Sequence, residues 1–344
     1  MRKIAIITAA FALLMACGRP TDPLPRGKAS PELETAFASY LQAVADSAED
    51  LHSVMVLQHG QILAEKQIAP DTAHIMNSVS KTFTATAVGF AITEGLLNLE
   101  DKIVDLFPEN LPEAPQEWLA DVTIRHLLTM NSGHGKDPTY VTRVQDCDWI
   151  KAFMEWPIEY APGTCYCYNS LGTYLLSAAV QKVTGEKVVD YLDTRLWQPL
   201  GIKKPFWQES PAGINTGGWG LYLHTEDLAR MGLCLLNGGQ FRGKQVIPAE
   251  WVAEMTRYQV PSVGAGINEM QLKEIQNGPM ANDWIQGYGY QMWMCRHNAF
   301  RADGANGQYI IILPEKDAVI VTTAHIPNMH QEIQLIWDHL LPAL

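Results

Sequence analysis

Asn77-Ser78-Val79-Ser80-Lys81-Thr82-Phe83 places a serine and a lysine three residues apart at what reads as the start of a helix. That helix is predicted to run through Thr84, Ala85, Ala87, Val88, Ala91 and Ile92 and to stop near Gly95. Residues i and i+3 lie one turn apart on the same helix face, so the Ser78 hydroxyl and the Lys81 amine can meet at the helix mouth. The mouth also offers unpaired N–H groups and a positive dipole end, both suited to a developing oxyanion. Alone, the pair is a weak signal. With 11 Ser and 14 Lys in 344 residues, chance supplies about half of one such pair. A serine cap beside a solvated lysine is the simpler account until other residues decide.

Composition narrows the setting. The chain is 47% hydrophobic and 18% charged, which supports a packed core in one large domain or two ordinary ones. Its formal charge is -12, and no Lys/Arg-rich run interrupts that balance. Nucleic acid is excluded as a partner, because phosphate contacts need clustered basic residues.

Residues 1–16 read as an export signal: Arg2-Lys3, an apolar run from Ile4 to Met15, then Ala16 before Cys17. Leu14-Met15-Ala16-Cys17 resembles the bacterial lipobox, in which cleavage leaves a diacylated cysteine at the new N-terminus. Gly18 rather than Asp follows, which favours an outer-membrane lipoprotein, facing the periplasm or the surface. Two acyl chains give stable anchoring at Cys17. Residues 17–29 carry Pro20, Pro23, Pro25 and Gly27 and read as a tether. An exported compartment permits disulfides, and Cys147 with Cys165, which bracket a predicted helix, are the first candidates. Cys167, Cys234 and Cys295 remain, and Cys165-Tyr166-Cys167 lacks the partners a metal site requires.

The body, residues 30–344, opens with a predicted helix from Pro31 to Asp50 and a hairpin, Ser53–Leu57 with Gln61–Gln67, turning at His59-Gly60. After the Ser78 helix, helices dominate: from Thr123, then Asp148–Trp156, Leu171–Thr184, Val188–Leu196, Thr225–Asn237 and Pro248–Arg257. Residues 259–283 read as a long surface loop. Strands return at Tyr288–Cys295, Phe300–Ala302, Gln308–Leu313 and Ala318–Ala324, before a last helix over Met329–Leu341. Strands at both ends with helices between imply an α/β (α+β) fold. One antiparallel sheet is assembled from the two chain ends and flanked by helices, with a helical subdomain inserted over roughly 106–284.

A nucleophilic serine needs a base, and Lys81 serves only if it is held neutral or if a second group relays its proton. The candidate relay is Tyr168, in Pro162-Gly163-Thr164-Cys165-Tyr166-Cys167-Tyr168-Asn169-Ser170, a phenol that a nearby cation could acidify. A buried aromatic at a helix start is the plain alternative.

Ser78-x-x-Lys81, Thr123-Ile-Arg-His-Leu-Leu-Thr-Met-Asn-Ser-Gly133, Pro-Gly-x-x-x-x-Tyr168-Asn-Ser170, Gly217-Gly218-Trp219-Gly220-Leu221 and Asp303-Gly304-Ala305-Asn306-Gly307 occur in this order. From about residue 30 to the C-terminus the chain thus resembles the serine β-lactamase/penicillin-binding-protein superfamily. The branch is the one that holds class C β-lactamases, family VIII esterases, DD-peptidases and 6-aminohexanoate-oligomer hydrolases. The resemblance implies that Ser78 is the acylated nucleophile and that Lys81 activates it. Tyr168 would be the base for acylation and the acid for the leaving group. Ser170 would bond Lys81 or the substrate carbonyl, and the backbone N–H groups of Ser78 and Ala305 would form the oxyanion hole. Asp303 and Gly304 line the substrate site on this reading, as do Trp219, Tyr222 and His134. For Trp219 core packing is an even alternative, and for His134 a solvated loop position. His126 is expected to cap or pack its helix.

One departure narrows the chemistry. Where the family usually has Lys-Thr-Gly or His-x-Gly, this chain has Ala302-Asp303-Gly304, and strand alternation turns Arg301 to the opposite face. The cation that binds a β-lactam or peptide carboxylate is missing, so a small-molecule ester or an ω-amino-acid amide is the expected substrate. β-Lactamase or DD-peptidase activity is the alternative within enzymes, and a non-catalytic penicillin-recognition or envelope-binding lipoprotein the alternative outside them. No Gly-x-Ser-x-Gly elbow, His-Glu-x-x-His pair, Walker loop or Gly-x-Gly-x-x-Gly fingerprint occurs, and neither metal nor organic cofactor is implied.

Overall fold

The two ends of the chain meet in one sheet. The structure, a computed structural model, describes residues 22–264, 273 and 282–344. Six antiparallel strands lie in the order Gln61–Gln67, Leu51–Gln58, Ala318–Ala324, Gln308–Leu313, Phe300–Gly304 and Trp293–Met294. The register sets Val54 opposite Thr322, Ile320 opposite Ile311 and Asp303 opposite Tyr309. Helices cover both faces, which is why the central strands read as unbroken apolar runs, Ile310-Ile311-Ile312 and Val319-Ile320-Val321.

On the outer face Leu33, Tyr40 and Val44 of helix Pro31–Asp46 join Ile333 and Ile336 near the C-terminus over Ile311 and Ile320. On the inner face Phe83 and Val88 of helix Ser80–Thr93, with Leu228 and Met231 of helix Thr225–Leu236, cover Ile310, Ile312, Val319 and Val321. Helix Ser80–Thr93 is buried on every side from Ser80 to Ala91, as its apolar, small-residue sequence demands. It is the pillar between the sheet and the helices that follow. Ser78 stands at its foot in a 3₁₀ turn, Asn77–Val79, rather than inside the helix itself.

Several expectations change. The helical stretch and the inner sheet face share one apolar core, and helix Thr225–Leu236 lies directly on the sheet. Of the expected strand Tyr288–Cys295 only Trp293–Met294 pairs in the sheet, because Gln291 adopts a positive φ of 59° and breaks the extended run. The Cys147–Cys165 bridge is not formed: Cys147 keeps its thiol, whose Sγ lies 3.8 Å from the Thr142 carbonyl. Residues 22–27, expected as part of a tether, are bound to the body. Leu24 is buried, and the Gly27 N–H and Pro25 carbonyl pair with Ile62 at 2.9 Å each. The export signal, Cys17 and most of the 259–283 loop lie outside the described residues.

Candidate active site

The sequence around Ser78 folds so that Lys81 and Tyr168 converge on the Ser78 hydroxyl. Lys81 is 1% exposed, and its Nζ donates to Ser78 Oγ and Ser170 Oγ at 3.0 Å each and to the Gly218 carbonyl at 2.8 Å. Tyr168 hydrogen-bonds Ser78 from the other side, and Lys81 Nζ lies 4.8 Å from its ring centroid. Ser78 itself stays half-exposed, reachable from outside. The Ser78, Lys81, Tyr168 and Ser170 side chains are therefore brought together as the motif order implies.

Burial sets the protonation states. Lys81 falls from the ordinary lysine value to about 7, chiefly by desolvation, with Asp137 and Asp303 opposing the drop. Tyr168 moves the other way: burial raises it well above an ordinary phenol, and its bond to Ser78 only partly offsets that. The expectation that a cation would acidify Tyr168 is corrected here. Desolvation exceeds the opposing effects of Ser78 and Arg301, so at neutral pH the phenol keeps its proton and the amine is the group able to lose one.

Each supporting residue has a local reason. Asn169 caps helix Ser170–Thr184 by accepting from the Gly172 N–H at 3.0 Å, which fixes Ser170 at the first turn above Lys81. The Gly217-Gly218 pair matters for its backbone rather than for the adjacent ring. A Cβ on Gly218 would sit 2.9 Å from the Ser170 carbonyl and 3.4 Å from Lys81 Nζ, so only glycine lets the Gly218 carbonyl reach the amine. Strand Phe300–Gly304 runs just as close to the Ser78 turn: a Cβ on Gly304 would meet the Met76 carbonyl at 2.3 Å. Asn77, at φ 45°, donates from Nδ2 to the Ala305 carbonyl at 2.8 Å and ties the two backbone segments together. Ser78 and Ala305 thus lie on neighbouring backbones at an open mouth.

Arg301 and Asp303 share one face of that strand, opposite Ala302, which is fully buried in the inner core. Arg301 Nε donates to Asp303 Oδ2 at 2.8 Å, and Nη1 to the Asp283 carbonyl at 3.0 Å. Its guanidinium lies 4.5 Å over the Trp284 ring and 5.7 Å over that of Trp293. Burial works to lower the Arg301 pKa, but Cys295, Asp303 and Asp283 outweigh it and hold the group above its usual value. Asp303 is thus spent on Arg301 rather than presented to a substrate, and Arg301 is closed off from one.

Other expected pocket residues fall elsewhere. His134 is fully buried, neither solvated nor lining a pocket. Its ring bonds Ser132 Oγ at 2.9 Å and the Phe153 carbonyl at 3.1 Å, and desolvation lowers it to about 4. Trp219 is half-buried against Trp149, with ring centroids 5.8 Å apart. Tyr222 pairs with Ile75 in a two-residue ribbon, and its ring lines a separate cleft beside Phe206 that includes none of Ser78, Lys81 or Tyr168. His126 caps its helix, with Nδ1 accepting from the Thr123 N–H at 3.2 Å.

Two contributors carried no motif. Trp293 stacks on Tyr168 at 5.4 Å and builds an aromatic wall with Tyr288 and Tyr166. Asp137 accepts from the Ser170 N–H at 3.2 Å and from the Thr139 N–H at 2.9 Å. Its only advance signal was an Asp-Pro step after a glycine-rich loop. Among the described residues no cluster of three or more His, Cys, Asp or Glu side chains is arranged to hold a metal ion.

Comparison with known proteins agrees with this fold. A model of the β-lactamase family covers residues 43–342. The chain is 24% identical over 333 residues to the 6-aminohexanoate-dimer hydrolase of Paenarthrobacter ureafaciens, spanning 90% of this chain and 80% of the relative. It is 28% identical over 199 residues to esterase EstB of Burkholderia gladioli, spanning 48% and 50%. A penicillin-binding protein homologue from Caulobacter crescentus has the same fold, with a TM-score of 0.68 at 16% identity over 93% of this chain and 100% of that one.

Proposed function

The chain belongs to the β-lactamase family of serine hydrolases, and from that premise we propose that it cleaves a carboxylic ester or amide through an acyl-enzyme at Ser78. The observation that carries this reading is the meeting of Lys81 and Tyr168 at Ser78 Oγ. Neutral Lys81 takes the Ser78 proton as Oγ attacks the substrate carbonyl carbon. The oxyanion that forms accepts from the N–H groups of Ser78 and Ala305, where one lost donor costs about 10²–10³ in rate. As the C–O or C–N bond breaks, Tyr168 gives its proton to the departing oxygen or nitrogen and is recharged from the Lys81 ammonium. Lys81 is neutral again, and the same pair deprotonates the water that hydrolyses the ester on Ser78.

The substrate class follows from what the cations do. Lys81 is occupied by three hydrogen bonds and Arg301 by Asp303. Neither is free to clamp a carboxylate, so esters and amides without one are favoured over β-lactams and peptidoglycan stems. Ser78→Ala should abolish labelling by a fluorophosphonate probe and lower ester hydrolysis about 10³-fold or more. Labelling that survives removes Ser78 as the nucleophile, and nitrocefin turnover faster than that of p-nitrophenyl esters overturns the substrate class.

The N-terminus adds a location to the reading: cleavage before Cys17 and diacylation would hold the enzyme on the outer membrane. No helix among the described residues is long and apolar enough to cross a membrane. Palmitate incorporation that is lost in Cys17→Ser is the expected result.

A further inference from the structure

We propose that the protein docks on the phospholipid bilayer through one fixed face, the Lys203-Lys204-Pro205-Phe206 loop beside the bound N-terminal segment. The proposal rests on the lipoprotein reading of Cys17 and adds an orientation to it. Only Gly18, Arg19, Pro20 and Thr21 separate Cys17 from Asp22. From Asp22 onward the chain is held. The Asp22 carbonyl accepts from Arg230 Nη2 at 2.6 Å and Arg242 Nη2 at 2.9 Å, and the Leu24 N–H donates to Glu226 at 2.9 Å. Leu24 is 3% exposed, and Arg26 pairs with Glu65.

The lengths then decide the geometry. Five residue steps reach about 18 Å at full extension. A body of this chain length is about 50 Å across. A leash shorter than the body's radius keeps it from rolling over, so the hemisphere on which Asp22 emerges faces the headgroups.

That surface is suited to the task. Pro23 lines one cleft with Lys203, Lys204, Phe206 and Tyr222. Phe206 is 66% exposed, unusual for so large an apolar ring, and its neighbour at 5.6 Å is Tyr222. Lys203 and Lys204 are exposed on the same loop, and Arg242 donates to the Asp22 and Pro23 carbonyls of the segment. Asp71, Glu226 and Asp227 line the same cleft and Lys204 pairs with Asp190, so the pairing offered outward is that of Lys203 with the exposed Phe206 ring. Such a pairing is the chemistry of an interfacial contact: rings settle at headgroup depth and lysines meet anionic phosphate.

The test compares the lipidated full-length protein on vesicles of phosphatidylethanolamine and phosphatidylglycerol with the Cys17→Ser protein beside the same vesicles, by hydrogen exchange. Backbone amides of 203–207 should exchange several-fold more slowly in the anchored protein. The variant Lys203→Glu/Phe206→Ser should lose that protection while it stays vesicle-bound and retains its ester hydrolysis. Anchored protein whose 203–207 segment exchanges as in the Cys17→Ser form overturns the docking face. A mature N-terminus without acyl chains, read by mass, overturns the anchor itself and the docking with it.

Discussion

Lys81 and Arg301 are both cations buried within reach of Tyr168, and they end in opposite states. Lys81 has hydroxyl and carbonyl partners and no carboxylate in contact, so desolvation brings it to about 7. Arg301 has Asp303 against it, with the Cys295 thiol and two indole faces around it, and stays charged. The difference teaches what separates a titratable cation from a fixed one in the same region. Burial without a counter-charge produces an amine that exchanges protons at neutral pH; burial with one produces a fixed charge that supports the wall behind Tyr168. Residue type reinforces the split, because an ammonium shifts readily and a guanidinium does not deprotonate.

The sharpest way to break this comparison is to exchange the residue types. Lys81→Arg keeps a positive charge beside Ser78 but removes the base, so kcat/KM should fall about 10³-fold or more, no less than for Lys81→Met. If Lys81→Arg keeps near-normal activity, a neutral amine is not what activates Ser78. On the other side, Arg301→Met strands the Asp303 carboxylate in a dry site and should cost about 3–5 kcal/mol of stability, read as a lowered urea midpoint. Arg301→Met/Asp303→Leu removes both charges and should recover most of that loss. A single variant as stable as the parent would show that the pair does not act as a unit.

The residues that sequence made legible are those whose spacing is local. Ser78 and Lys81 meet because i and i+3 share a face, and the alternating and apolar runs at both ends announce the sheet. Tyr168 and Ser170 follow from a turn and a cap within a few residues. What stayed hidden depends on distant packing. Asp137 reaches Ser170 across the fold and sits in a stretch with no period. Tyr222 was expected at the catalytic pocket because a two-residue ribbon gives no alternation from which to tell its faces. Residues 22–27 read as tether because prolines and mixed charge mark a linker, yet Leu24 finds a buried seat. The protonation of Tyr168 is hidden for a different reason: a neighbouring cation is visible in a motif, whereas desolvation is visible only in the packed site.

The finest test of the comparison leaves both cations in place and alters only the field at Lys81. If the neutral amine is the base, as proposed, kcat/KM should rise about tenfold per pH unit on the acid side and level off above about 7, where Lys81 has lost its proton. Asp137 is the largest of the two carboxylates that hold Lys81 up against desolvation. Removing its charge takes away support for the ammonium and not for the amine, so the Lys81 pKa must fall. Asp137→Asn should therefore move the acid limb to lower pH by about half a unit, with the plateau reduced only as far as the Ser170 N–H loses a charged acceptor. Arg301→Lys offers the control, since it keeps a positive charge beside Asp303 and should leave the limb where it was. An acid limb that stays in place in Asp137→Asn would mean that the titrating group is not Lys81, and the two buried cations would then no longer differ in kind.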